Sequence, residues 1–402
     1  MAKLSSSNGL EKRPKLRFPG FDEPWKGTTL SALFSKSTQK NADGHITNVI
    51  CNSAKLGLIP QREYFDKDIA NSDNISGYYI IRQNDFVYNP RKSSDAPYGP
   101  ISSYKYAEDG IVSPLYLCFH AKDEINPLYY EWYFRSSAWH RYIYMSGDSG
   151  ARHDRVSIKD DTFFAMPINL PSEQEQSKIA SFLQSLDERI AAQEKLVASL
   201  KKYKRGSLSA LFPKKREITP QYRFAGFTKP WEQRKLGDCV EFLDTMRKPL
   251  KEGDREKGQY PYYGASGIVD YVSDYIFDEE LVLLSEDGAN ITDRNYPVCF
   301  LASGKYWVNN HAHVLKTNKE NENNFICNSL ERMDFTPYNS GMAMPKLNKE
   351  VCQKIPLSCP SFAEQKEIGD YFRSLDTLIT LHQHKYDILL SLKNALLQQM
   401  FI

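Results

Sequence analysis

The sequence predicts an α+β chain in which two mixed α/β domains are separated by two long helices that form an antiparallel coiled coil, the whole arranged as an internal pseudo-two-fold repeat. Three observations predict it: a short box that occurs twice, a long heptad-patterned segment that occurs twice, and two β-rich inserts enclosed between them. At 402 residues the chain is too long for one compact core and fits two domains or more.

The box comes first. Pro14–Leu30 lies on Pro220–Leu236 without a gap, and eight of the 17 positions are identical: Pro14/Pro220, Arg17/Arg223, Phe18/Phe224, Gly20/Gly226, Phe21/Phe227, Pro24/Pro230, Trp25/Trp231 and Leu30/Leu236. Chance would give about one, so this is an internal duplication. The second pair is Pro171–Phe212 on Pro360–Phe401, sharing Glu175/Glu364, Gln176/Gln365, Asp187/Asp376 and Lys204/Lys393 among others. The first pair is offset by 206 positions and the second by 189, so the stretch between the boxes is 17 residues shorter in the second half.

Both long segments carry helix signals. Ser172 and Ser361 each begin an S-x-x-E capping box, with a proline just before. Apolar residues then recur at alternating steps of three and four. One seam runs through Ile179, Leu183, Leu186, Ile190, Gln193, Val197 and Leu200, the other through Ile368, Phe372, Leu375, Ile379, His382, Tyr386 and Leu389. This is a coiled-coil pattern of about five heptads. Neither helix can bury such a stripe alone, so the simplest partner for each is the other copy. A helix of about 37 residues is a rod of about 55 Å.

The inserts, about 26–160 and 232–350, have a different grain. Runs such as Tyr78–Ile81, Asp85–Tyr88 and Leu281–Leu284 alternate with turn clusters (Asn89-Pro90, Pro97–Pro100, Asp287–Asn290), and Pro127–Ser137 reads as helical. Beyond some end motifs the inserts do not resemble each other. The resulting division is 1–13 a polar leader expected to be disordered, 14–163 the first domain, 164–213 the first (central) helix, 214–350 a linker and the second domain, and 351–402 the second (C-terminal) helix.

Composition narrows the function. Lys and Arg total 52 against 50 Asp and Glu, a formal charge of only +2, so any nucleic-acid binding must use local patches or help from partners. The seven cysteines lack any C-x-x-C, which fits neither a disulfide framework nor a zinc cage and points to reduced, cytosolic thiols. No apolar run approaches the roughly 20 residues of a membrane helix, and Met1–Arg13 lacks the apolar core of a secretory signal.

Searches for catalytic motifs fail. The chain has no G-x-x-x-x-G-K-[ST]; Gly304-Lys305 has Cys299 where the first Gly belongs, and no N-P-P-[FY] occurs. Glu364-Gln365-Lys366 formally satisfies the E-x-K half of a nuclease site, but its place in the capping turn favours a structural role. His311 and His313 would share a face of a strand and could pair on a metal, yet no third ligand stands at a recognisable spacing; structural or base-contacting roles are favoured.

Binding signals are more numerous. Arg91, Lys92, Ser93 and Ser94 follow a strand-like run, with Tyr98, Tyr104 and Lys105 beyond the next turn. Arg152, His153 and Arg155 follow the flexible Ser146–Gly150. In the second insert, Tyr263 and Ser266 lie in an aromatic–glycine stretch, Asn290 closes a turn, and Lys305, Asn309, Asn310 and His311 share one run; Lys346 completes the set. Such mixtures suit major-groove reading, where Arg or Lys pairs with guanine and Asn or Gln with adenine, while Lys, Ser and backbone N–H groups position phosphates. Any one of these residues alone is more often a solvated loop tip. The basic run Lys201–Arg205, late in the first helix, is favoured as a solvated face near a helix C-terminus.

Two copies of P-x-x-R-F-x-G-F-x-x-P-W, each followed by a dissimilar insert and an E-Q-x-x-I…L-D-x-x-I helix, resemble the specificity subunit of type I restriction–modification systems over nearly the whole chain. The resemblance implies that the inserts are target-recognition domains, each reading one half of a split double-stranded DNA sequence, and that the helices space them. It implies no catalysis and no cofactor on this chain. Two methyltransferase (modification) subunits binding S-adenosylmethionine and ATP-driven, Mg-dependent restriction subunits are the implied partners, in the bacterial cytoplasm and with no membrane involved. The alternative is a coiled-coil adaptor joining two protein-binding domains without DNA specificity.

Overall fold

The computed structural model describes residues 13–64, 72–147, 154–214 and 217–402. It falls into two compact units, one made of residues up to 192 together with 386–402, the other of residues 193–385. Among the described residues no helix is long and apolar enough to cross a membrane.

In the first unit, strands β1 (Lys26–Thr29), β2 (Phe34–Ser37), β3 (Val49–Ser53), β4 (Gly57–Pro60), β5 (Tyr79–Ile81), β6 (Phe86–Tyr88), β7 (Ile101–Ser103), β8 (Gly110–Val112), β9 (Leu117–Ala121) and β10 (Pro167–Leu170) form three sheets, ordered β1-β10, β2-β9-β6-β7 and β4-β3-β8-β5. The second unit has β11 (Glu232–Lys235), β12 (Val240–Phe242), β13 (Lys257–Gly264), β14 (Gly267–Val272), β15 (Phe277–Asp278), β16 (Leu281–Ser285), β17 (Cys299–Ala302), β18 (Lys305–Val308), β19 (Ala312–Thr317) and β20 (Pro356–Cys359), ordered β11-β20, β12-β19-β16-β17 and β14-β13-β18-β15. The two orders are the same, strand for strand. The parallel pairing recurs too, β3 with β8 and β13 with β18.

This corrects the expectation that the inserts are unrelated beyond their end motifs. The sheet register shows why identity disappeared while topology stayed. Phe34 pairs with Ala121 as Val240 pairs with Thr317, and Phe86 pairs with Phe119 as Val282 pairs with Leu315. The first unit therefore builds this core from aromatic rings, with Phe34 and Phe119 meeting edge-on at 5.3 Å, where the second uses aliphatic chains. Phe34, Phe86 and Phe119 are buried, as are Val240, Val282 and Leu315, and a core position accepts any apolar residue that its neighbours can pack.

A helix follows the central strands in each unit, Pro127–Arg135 in the first and Asn323–Glu331 in the second. The first is capped by the Asn126 side chain, which accepts from the Tyr129 N–H at 3.2 Å, with Pro127 in the first turn. The second is capped by Glu322, which accepts from the Phe325 N–H at 2.6 Å.

The long helices span Glu173–Leu211 and Phe362–Gln399, close to the predicted segments. Within each unit a stretch of one runs antiparallel to a stretch of the other. In the second unit Gln193 meets His382, Lys204 meets Asp376 at 2.6 Å and Ser207 meets Tyr371 at 2.9 Å, so one chain rises as the other falls. In the first unit Lys393 reaches Asp187 at 2.5 Å, and Leu186 and Ile190 share a core with Leu396 and Met400. The polar slot of the heptads is satisfied rather than wasted: the Gln193 amide nitrogen lies 2.8 Å from His382 Nδ1 and donates to its carbonyl at 2.9 Å. Of the basic run Lys201–Arg205, Lys204 is committed to Asp376, and Lys201 reaches Gln383 at 3.3 Å.

The duplicated box grips the start of the long helix in its own unit. Ser172 and Ser361 accept from the N–H groups of Glu175 and Glu364, as the capping pattern predicts. The glutamate carboxylates make a different contact. Glu175 takes both ends of the Arg17 guanidinium, at 2.9 and 2.7 Å, and Glu364 takes Arg223 at 2.8 and 2.6 Å. Both carboxylates are 1% exposed, so a charge that burial would penalise is matched by a planar two-point partner. The following glutamines repeat too: Gln176 donates to the Pro171 carbonyl and Gln365 to that of Pro360. Box phenylalanines rest on the same helix position, Phe18 on Phe182 and Phe224 on Tyr371. Glu364 is thus a structural ion-pair partner.

Candidate nucleic-acid interface

The chemistry-bearing loops gather at one end of the central sheet in each unit. In the first unit β6 runs out through Asn89-Pro90, whose side-chain amide ties Asn89 to the Asn52 carbonyl at 3.2 Å and accepts from the Arg91 N–H at 3.1 Å. The Lys92 N–H donates to the Asp154 carbonyl at 2.8 Å, and the Val156 N–H to that of Pro90 at 2.9 Å. This brings Arg91 and Arg155 opposite one another in an isolated bridge. Ser93 closes a turn by accepting from the Ala96 N–H at 3.1 Å, while Lys92, Ser93 and Ser94 stay exposed. Gly99 completes the turn at φ +83, where a Cβ would lie 2.1 Å from the Asn89 carbonyl oxygen. The ring of Tyr98 leans on His140 at 4.8 Å and is half-buried. Arg152 and His153 lie outside the described residues.

Lys105 is not part of this group. It follows β7, at the end of the hairpin opposite Arg91, and pairs at 3.0 Å with Glu131, a carboxylate buried on the helix Pro127–Arg135. Arg135 at 2.6 Å and the Ser103 hydroxyl at 2.7 Å complete that carboxylate's partners. Tyr104 is buried beneath, its hydroxyl donating to the Glu108 carbonyl.

In the second unit the same end of the sheet collects the turn at Ser266, the loop Glu286–Gly288, the run Asn309–His311 and Lys346. The Ser285 hydroxyl donates to the Ala265 carbonyl, the Glu286 N–H to the His311 carbonyl at 2.9 Å, and the Leu347 N–H to the Glu286 carbonyl at 2.7 Å. Asn309 is buried and sets the turn: its N–H donates to the Tyr263 carbonyl and its side-chain oxygen accepts from the His311 N–H. Asn310 is left exposed, and His311, half exposed, holds Asp287 through Nδ1 at 2.8 Å. Lys346 stands opposite Asp287 in an isolated bridge and points its amine to Glu286 at 3.4 Å.

Three other sequence candidates are placed differently. Tyr263 stacks on Phe300 at 5.9 Å and forms part of a packed cluster. Asn290 spends its amide on its own loop, donating to the Tyr296 carbonyl and accepting from the Tyr296 N–H. Lys305 opens β18, at the far end from Asn309, with its amine 4.6 Å over the Tyr275 ring.

Two residues of this group were not legible as site residues. Arg247 donates to Glu286 at 2.7 Å and to the Ala312 carbonyl at 2.8 Å, tying the loops together from below. Asp287 read only as turn chemistry. The Arg247-Lys248 pair before Pro249 was the available signal for the first; nothing in the spacing marks the second.

The two histidines serve different carboxylates, His311 with Asp287 and His313 with Asp244, and do not converge on a common ligand position. His313 is buried, with Nδ1 2.7 Å from the Asp244 carboxylate and Nε2 2.7 Å from the Leu347 carbonyl oxygen. Both neighbours are acceptors, so both ring nitrogens must carry hydrogen and the ring is an imidazolium. Burial alone would lower its pKa; the hydrogen bond to Asp244, seconded by Cys352 and by the Asp244 charge, pushes it up to about 10. Asp244 is correspondingly held below the usual carboxylate range despite its burial, by His313, the Val314 N–H and Arg247. The folded-state value lies above the ordinary 6.5, so this stabilisation is complete below about pH 6.5 and is lost as pH rises through about 10. In a histidine NMR titration one imidazole should therefore stay protonated throughout pH 6 to 8, and His313→Gln should remove that signal. A His313 ring that loses its proton near 6.5 would contradict the assignment.

The chain matches the type I restriction modification DNA specificity domain over residues 36–202 and again over 228–390, and so belongs to that family. Both copies together cover most of the chain. A putative type I restriction enzyme specificity subunit of Haemophilus influenzae is 37% identical over 150 residues, a match that spans 37% of this chain and 38% of that relative. Among solved structures, the type I restriction–modification S subunit of M. genitalium superposes with a TM-score of 0.63 at 16% identity, covering 97% of this chain and 99% of that one. A chain from a structure concerned with complex assembly and conformational transition of the type I system superposes at 0.55, with 15% identity and coverage of 95% and 98%. At these identities the likeness is one of fold.

Proposed function

We propose that this chain is a sequence-specific double-stranded DNA recognition subunit, without catalysis or cofactor of its own, each domain reading one half of a bipartite, gapped target. The observation that carries this reading is the contrast between frame and contents. Two domains share one strand order while the same pair of loops displays different side chains: Arg91 and Lys92 beside Arg155 in one, Asp287 and Gly288 beside Lys346 in the other. A protein that needed two copies of one site would have kept the loops alike. Arg, Lys, His and Asn are the side chains that read base edges and phosphates.

Its partners on this reading are methyltransferase subunits, which bind S-adenosylmethionine, and ATP-driven restriction subunits, in the bacterial cytoplasm. The net charge of +2 leaves part of the phosphate neutralisation to them. The experiment is a gel-shift series with the chain joined to its methyltransferase subunits. Affinity for duplex DNA should fall by about a thousandfold between about 50 and about 200 mM salt, as expected when several phosphates are neutralised. A complex that ignores DNA at low salt would favour the coiled-coil adaptor instead.

A further inference from the structure

The two units carry the same loop pair at the same point of the same sheet. In the first, the Lys92 and Val156 N–H groups donate to the Asp154 and Pro90 carbonyls; in the second, the Gly288 and Leu347 N–H groups donate to those of Pro345 and Glu286. These crossed pairs put Arg91 opposite Arg155 and Asp287 opposite Lys346. The strand register agrees, because Phe86 and Val282 are equivalent and Arg91 and Asp287 lie equally far beyond them. One position of the pair stays basic in both units, Arg155 and Lys346. The other reverses its charge.

We propose, resting on the DNA-recognition reading above, that the reversed position selects a base in each half-site, Arg91 taking guanine and Asp287 taking cytosine. A residue that only met phosphate would be cationic in both units, as its neighbour is. Arg91 is exposed and forms no ion pair among the described residues, so its planar fork is open to the two acceptors of a guanine edge. Asp287 is a carboxylate, which a phosphate repels and the amino group of cytosine attracts. His311 holds it at 2.8 and 3.0 Å, fixing its direction, and a quarter of its side chain remains exposed. Lys346, opposite it in the bridge, offsets part of the repulsion that a bare carboxylate would meet near DNA.

The test is to map methylated adenines by sequencing in cells that carry the full chain and its partner subunits. Asp287→Asn should relax one cytosine position of one half-site by on the order of tenfold or more, and Arg91→Gln one guanine position of the other half-site. Charge reversals, Asp287→Arg and Arg91→Asp, should alter the preferred base at those same positions; should they abolish methylation, the neutral variants decide. An unchanged motif in the neutral variants, or a uniform loss across all sites with no change of base preference, overturns the proposal while leaving the recognition function standing. A wild-type chain that directs no two-part motif overturns the function itself, and this assignment with it.

Discussion

Replacing Glu175 or Glu364 by alanine is expected to destabilise the unit that holds it by about 3–5 kcal/mol, the cost of leaving a guanidinium without its partner in a mostly buried site. Each carboxylate takes two hydrogen bonds from one arginine and is 1% exposed, while Arg17 and Arg223 are only 13% and 14% exposed. The contact joins the duplicated box to the first turn of the long helix, so its loss frees both the chain entry and the helix start. Denaturant unfolding of the two variants, compared with the parent, measures it. Removing both partners should be far milder: Arg17→Met with Glu175→Leu leaves no buried charge, and apolar replacement of such pairs is often neutral. A single-alanine cost below about 1 kcal/mol would mean that water already screens the pair, contrary to its burial.

Exchanging residues 26–160 for the corresponding stretch of another family member is expected to change one half of the recognised sequence completely and to leave the other untouched. The first insert packs within its own unit, on a core of Phe34, Phe86, Phe119 and Tyr130, and its loops Arg91–Ser94 and Arg155 belong to that unit alone. The second unit keeps its own core and its own loops around Asp287 and His311. Methylation motifs read from cells with the exchanged chain would decide. A change in both halves, or in neither, would mean that the inserts do not carry recognition separately.

The frame of this protein was open to sequence reading because its signals are local and repeated. The box, the serine caps and the heptad seams survive duplication, since Arg17, Glu175 and Gln176 each contact a partner that must be duplicated with them. The kinship of the inserts was closed to it. Strand order depends on which apolar runs pair, and Phe86 with Phe119 does the same work as Val282 with Leu315. Within the candidate interface, basic residues beside turns were visible: Arg91, Arg155 and Lys346 stand in bridged loops, and His311 holds Asp287. Lys105 and Asn290 looked alike in sequence but are held by Glu131 and by Tyr296, partners set by tertiary folding. Asp287 stayed hidden because its equivalence to Arg91 lies in the loop pairing, which sequence spacing does not display.

On the proposed reading, two dissimilar domains of one fold read two different halves of one DNA sequence. Sequencing the methylated adenines in cells that express the unaltered chain with its methyltransferase partners tests this most directly. A single non-palindromic motif is expected, with two unlike specified blocks separated by a fixed run of unspecified bases. A continuous motif, a palindrome, or no motif dependent on this chain would contradict it.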